Sequence, residues 1–258
     1  MSDYEAIKYE VSGNRATVTM NRPDSLNGIN TTMMRELYEC LNRVADDDNI
    51  RAVLFTGAGK GFCPGVDLNA STSGVKQEQS RKVYFHISTL LHEMPKVTVA
   101  GINGACAGAG FGWACACDLR YATARASFNS AFLGVAISGD MGGPWLLPRI
   151  LGASKARELY FLPEKFKGDD AERMGLVSKS FADDVFHDEV NAIVDRLAKS
   201  APLAIGEMKK NFINAENMPL RDYIELETER HSRVGASEDS KEAFRAFVEK
   251  RDPVFQGR

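Results

Sequence analysis

The 258-residue sequence predicts an α/β fold with a helical C-terminal region. Three observations predict it. Short apolar runs at Ala52–Thr56 (AVLFT) and Val97–Ile102 (VTVAGI) have the length and branching of buried strands. Each run is followed by a glycine-rich loop and then by a helical pattern, the order of an α/β layout. Beyond Gly143, apolar residues recur almost entirely at helical spacing.

The elements follow in chain order. Arg15–Met20 (RATVTM) alternates as a half-buried strand does, and NRPDSLNGIN after it is rich in turn residues. Asn30 or Thr31 suits the cap of a helix running to about Ala45, with Met34, Leu37, Leu41 and Val44 on one face. The strand at Ala52 leads into GAGKGFCPGVDL, and a helix is expected over Lys76–Glu93. After the strand at Val97, a helix is expected to begin near Ala109. Pro144 fits the first turn of another, with Trp145, Leu146, Leu147 and Ile150 as its apolar face. Helices are expected at Ser154–Leu162, Asp169–Met174, Asp184–Lys199, Ala204–Asn214, Leu220–Val234 and Glu238–Lys250, with Pro202 breaking the pattern.

Composition narrows the function. The 32 basic and 35 acidic residues are well mixed and leave a net charge of −3, which disfavours a nucleic-acid partner. The five cysteines (Cys40, Cys63, Cys106, Cys115, Cys117) sit mostly in apolar company and read as buried, reduced thiols. No zinc spacing, P-loop or G-x-S-x-G is present, so no metal is expected. Gly108, Gly110 and Gly112 are too closely spaced for a dinucleotide loop. The polar start MSDYEAIKYE is unlike a targeting segment, and Val97–Cys117, although uncharged, is broken by glycines and Asn103. A cytoplasmic protein without a membrane span is expected.

The stretch from Val97 to Gly143 carries the candidate chemistry. Five glycines between Gly101 and Gly112 allow the backbone to approach a ligand closely. Two glycine-rich loops, each after a buried strand, can each offer a backbone amide, and two convergent amides make an oxyanion hole. A lone acid, Asp140, closes the stretch within GDMGG. It reads either as a proton carrier or as the N-cap of the helix that follows. His86 and His92 read as solvent-facing or packing residues.

The motifs NRPDSLN (21–27), GKGFCPGVDL (59–68), INGACAGAG (102–110), CDLRYA (117–122), GDMGG (139–143) and AERMGLV (171–177) together resemble the crotonase (enoyl-CoA hydratase/isomerase) superfamily over nearly the whole chain. The resemblance implies a spiral of ββα units over residues 1–200 with the acyl-CoA site. It implies a helical trimerisation region over 201–258, and a homotrimer or dimer of trimers. The substrate it implies is an acyl-CoA thioester, with coenzyme A as part of the substrate and no separate cofactor. Its carbonyl would rest between the amides of Val66 and Ala109, the latter replacing a common glycine. Arg22 matches a phosphate contact for coenzyme A. Leu26, Gly65, Leu68 and Gly108 belong to the matched binding loops, and Asp67 is expected to brace one of them. Phe132 and Trp145 read equally as acyl-pocket lining and as core packing.

The departures sharpen this reading. Hydratases of the superfamily split water between two glutamates, whose positions here are Gly112 and Phe132. An acid stands instead at Asp140, as in the superfamily's dienoyl-CoA isomerases and haloaromatic-CoA dehalogenases. Phe128-x-x-Ala131-Phe132 and the run D-x-G-G-x-W-x-L-P-R from Asp140 to Arg149 most resemble ring-epoxide phenylacetyl-CoA isomerases. An isomerase that moves a double bond with one aspartate is therefore expected. Hydration or hydrolysis of a CoA thioester, and acyl-CoA binding without catalysis, are the alternatives.

Overall fold

The computed structural model describes residues 4–67 and 82–258. Leu68 and the first part of the helix expected over Lys76–Glu93 lie outside the described residues. Strands β1 (Ile7–Ser12), β2 (Arg15–Met20), β3 (Ala52–Gly57), β5 (Val97–Ile102), β7 (Leu119–Thr123) and β10 (Lys179–Phe181) form one sheet in the order β1-β2-β3-β5-β7-β10. Only the β1–β2 pair is antiparallel. A smaller sheet joins β4 (Gly61–Cys63), β6 (Ala105–Ala107), β8 (Ser127–Asn129) and β9 (Phe166–Lys167).

The chain thus lays one strand in the large sheet and the next in the small one, three times over. The pairs β3 and β4, β5 and β6, and β7 and β8 are the turns of a spiral. The family resemblance implies this spiral of ββα units; periodicity does not show it, because strands of three residues carry no usable period.

Strand β3 shows why its sequence is apolar without alternation. Val53 and Phe55 face the main core, whereas Ala52 and Leu54 face a second core on the other side of the sheet. Helix α7 (Phe186–Ala198) covers that second face with Phe186, Val190 and Val194. A strand buried on both faces has no polar side to show.

Helix α1 (Thr31–Asp46) starts where expected, with the Asn30 side chain accepting from the Met33 amide at 2.8 Å. Residues 82–86 form a 3₁₀ turn rather than α-helix, and α2 covers only Ile87–Glu93. Helices α3 (Ala109–Ala116), α4 (Gly143–Leu151), α5 (Ala153–Phe161) and α6 (Gly168–Arg173) follow. The tail is α8 (Pro202–Ala215), α9 (Leu220–Gly235) and α10 (Glu238–Glu249). Pro202 opens α8 instead of merely interrupting the pattern, since a first-turn position has no use for its missing N–H.

Lys209 of α8 ties this tail to the core. Its buried ammonium donates to Asp118 Oδ2 at 2.7 Å, the Lys96 carbonyl at 3.0 Å and the Leu91 carbonyl at 3.1 Å. Asp118 Oδ2 also accepts from the Thr98 amide and hydroxyl at 2.7 and 2.9 Å. All five cysteines are buried and free. Among the described residues no helix is long and apolar enough to cross a membrane, and no cluster of potential metal ligands occurs.

Candidate active site

Two loops meet at the ends of β4 and β6. Gly65 and Gly108 both adopt positive φ (+99° and +52°), which glycine allows without strain. A β-carbon on Gly65 would lie 3.8 Å from the Ala109 amide nitrogen and 3.7 Å from Gly108 Cα, so the loops are in contact. Ala109 is the first residue of α3, where an amide has no partner inside the helix. On the other loop, Ile29 donates to the Gly65 carbonyl at 2.9 Å and Asp67 donates to the Ile29 carbonyl at 3.0 Å. In this parallel bridge the Val66 amide lies between those two bonds and points away from Ile29. Val66 and Ala109 thus present backbone donors from two adjoining loops, an arrangement that suits a developing oxyanion.

Buried amides hold the loops in place. Asn27 Nδ2 donates to the carbonyls of Gly61 (2.7 Å) and Ala58 (3.0 Å), and its Oδ1 accepts from the Arg22 amide (2.8 Å). Asn103 Nδ2 reaches the Gly59 carbonyl at 2.9 Å. Asp67 pairs with the Arg22 guanidinium at 3.0 Å, and the same guanidinium donates to the Gly28 carbonyl. Arg22, matched by resemblance to a phosphate contact, therefore has two partners inside the protein. Leu26 sits at φ +53° between these braces with its side chain partly open to solvent.

Asp140 lies in a tight turn. Gly139, Met141 and Gly142 all have positive φ (+111°, +48° and +73°), and for Met141 this is a strained conformation. The turn is clamped by Ser88 of α2, whose buried hydroxyl donates to the Met141 carbonyl at 2.7 Å. The cap of α4 is Gly142, not Asp140, and no side chain caps this helix. The N-cap reading of Asp140 is therefore set aside. Asp140 Oδ1 is buried and accepts no hydrogen bond among the described residues. Burial pushes its carboxyl up to about 6. The Cys63 thiol, just before the Val66 loop, is pushed up to about 12 by burial and, in lesser part, by the charge of Asp140. Asp140 therefore lies close enough to the end of β4 for its charge to act on the Cys63 thiol.

Phe132 is buried and stacks on Tyr160 of α5, with centroids 6.0 Å apart and planes 11° apart. Trp145 departs from its expected place on the buried face of α4. It is 42% exposed, with the Arg149 guanidinium 3.6 Å over its ring and His92 edge-on at 5.6 Å. Leu146 and Leu147 fill the buried face instead. His92 also approaches Glu216 at 3.5 Å, and His86 meets Thr89. Sequence reasoning missed Ser88 and Tyr160. Ser88 carries no motif, and Tyr160 is hidden among the apolar residues of ELYFL.

Paired sheets wound as a spiral, with a loop amide beside a helix-start amide, define the crotonase class of thioester enzymes. The enoyl-CoA hydratase/isomerase family model matches residues 10–258. The chain is 34% identical to the 1,2-epoxyphenylacetyl-CoA isomerase of Escherichia coli, over 94% of this chain and 95% of that protein. It is 32% identical to the (E)-benzylidenesuccinyl-CoA hydratase of Thauera aromatica, over 97% and 99% of the two chains. The crystal structure of an enoyl-CoA hydratase from Bacillus anthracis superposes with a TM-score of 0.92 at 27% identity, over 98% of this chain and all of that one. The protein belongs to the enoyl-CoA hydratase/isomerase family, and an acyl-CoA substrate fits that membership.

Proposed function

We propose that this enzyme is an acyl-CoA isomerase that shifts a double bond by proton transfer. The observation that carries the reading is what stands at the two hydratase positions. Phe132 is an aromatic ring stacked on Tyr160, and Gly112 has no room for a side chain, because a β-carbon there would lie 2.8 Å from Met141 Cβ. A carboxylate is available at Asp140 instead. With the thioester carbonyl held by the Val66 and Ala109 amides, loss of a proton from carbon beside it gives an enolate. The two donors stabilise that enolate, and removing one such donor typically slows a reaction about 10²–10³-fold. Asp140 takes the proton and returns it further along the conjugated system. Held up to about 6 by burial, it is ionised near neutrality yet basic enough to accept a proton.

The same reading assigns no metal or redox cofactor, since coenzyme A arrives as part of the substrate. It places the protein in the cytoplasm and gives it a trimer or a dimer of trimers. The apolar side chains exposed on the tail, among them Phe212, Leu220, Phe244 and Phe247, support assembly through that region. Incubating a panel of enoyl-CoA thioesters, followed by mass and absorbance, tests the reaction. Isomerisation leaves the mass unchanged. Rapid gain of one water by a simple 2-enoyl-CoA would replace this reading with hydration, free coenzyme A would indicate hydrolysis, and no turnover of any thioester would leave binding alone.

A further inference from the structure

Tyr160 lies under the turn that carries Asp140 and touches it on both sides. A β-carbon on Gly143 would fall 1.9 Å from the Tyr160 hydroxyl, and one on Gly139 would fall 3.5 Å from the edge of its ring. Only glycine at 143 admits the phenol. Phe132 stacks flat on the ring and fixes its plane. The hydroxyl is buried and has no hydrogen-bond partner among the described residues, and the same is true of Asp140 Oδ1. A buried polar group without a partner is destabilising and uncommon, so two such oxygens beside one turn call for a common explanation.

We propose that Tyr160 is a positioning residue for Asp140: its phenol donates a hydrogen bond to the Asp140 carboxylate, directly or through one water, when the acyl thioester fills the site. A phenol is a donor near neutrality and stays one here, because burial first, and then the charges of Cys115 and Asp140, disfavour its ionised form. The bond favours the charged carboxylate and holds the oxygen that takes the proton in one orientation. It offsets the burial that otherwise makes the charge costly. Among the described residues the other titratable neighbours do not supply this. Cys63, on β4, is a thiol held neutral. Helix α3 carries no charged residue, and Ser88 of α2 is committed to the Met141 carbonyl. His92 of α2 and Arg149 of α4 both turn to Trp145.

The inference rests on the isomerase reading, so the parent enzyme must first show turnover that Asp140→Asn abolishes; failure at that point tells against that reading rather than against Tyr160. Tyr160→Phe then removes one oxygen and keeps the stack on Phe132. The expected result is a kcat about tenfold lower, the size of one hydrogen bond to a charged group, with KM nearly unchanged. The acid limb of the kcat profile, which reports the substrate-bound enzyme, should move up by about one pH unit, because the carboxylate has lost a donor that favoured its charge. A packing role moves the melting temperature and not the limb. A folded Tyr160→Phe enzyme with parental kcat and limb overturns the proposal. Should that variant not fold, placing 3-fluorotyrosine at position 160 keeps the ring and hydroxyl but makes a stronger donor; the acid limb of kcat should then move down, and an unmoved limb overturns the proposal equally.

Discussion

Gly112 of α3 packs directly against Met141, so that a β-carbon added at Gly112 would lie 2.8 Å from Met141 Cβ and 3.2 Å from its carbonyl oxygen. The turn that presents Asp140 thus occupies the space above the position of the first hydratase glutamate. In this chain a side chain at position 112 and the turn carrying Asp140 therefore compete for one space.

Gly112→Glu is accordingly expected not to confer hydration. Its β-carbon must push Met141 aside and with it the hydrogen bond to Ser88, so stability falls by about 1–3 kcal/mol, the usual cost of overpacking. Isomerase activity should fall in parallel as Asp140 is displaced. Denaturant unfolding and the mass of the products check this, and a stable variant that hydrates 2-enoyl-CoA would disprove the steric exclusion.

Asp140→Asn separates chemistry from stability. The amide keeps the size of the side chain but cannot take a proton, so kcat should fall about 10²–10⁴-fold with binding nearly intact. Exchange of substrate protons for deuterium should be lost with it. In the parent, kcat/KM should fall as the pH drops through about 6, where the carboxylate takes up its proton. The folded protein holds that proton up to about 6, whereas an unfolded chain releases it near 3.8, so the charge weakens the fold above pH 6. Asp140→Asn should therefore raise the melting temperature at pH 7–8, as read at about two pH values, and the gain should vanish below about pH 4. Parental exchange in a folded variant would remove Asp140 from the chemistry.

The oxyanion assignment is tested by the backbone. Ala109→Pro removes the amide at a first-turn position that proline otherwise tolerates, so the protein should fold while turnover is lost by about 10²–10³-fold. Ala109→Gly keeps the donor and should retain activity. Near-parental turnover by the folded proline variant would show that the carbonyl is held elsewhere.

Lys209 tests how the tail depends on the core. Lys209→Met leaves Asp118 without its cation and should cost about 3–5 kcal/mol, the range for breaking a buried ion pair from one side. Thermal unfolding measures the loss. A variant within about 0.5 kcal/mol of the parent, as for an ordinary surface change, would mean that the Thr98 bonds alone satisfy Asp118.

Much was determined by the sequence alone. Periodicity placed the strand at Arg15 and the helix capped by Asn30, and an unbroken apolar run placed the strand at Val97, because each spans enough residues for its pattern to show. The glycine loops and the acid at Asp140 were legible as residue types, and the family resemblance marked Gly112 and Phe132 as the positions of the absent glutamates. Tertiary structure decided the rest. It wound three-residue strands into a second sheet, turned Trp145 outward under Arg149, and committed Arg22 to Asp67. It also brought Ser88 and Tyr160 to the Asp140 turn, from 53 residues before Met141 in the one case and from α5 in the other. Periodicity records which face of an element is buried, whereas these contacts depend on which elements meet, and that is settled only when the spiral closes.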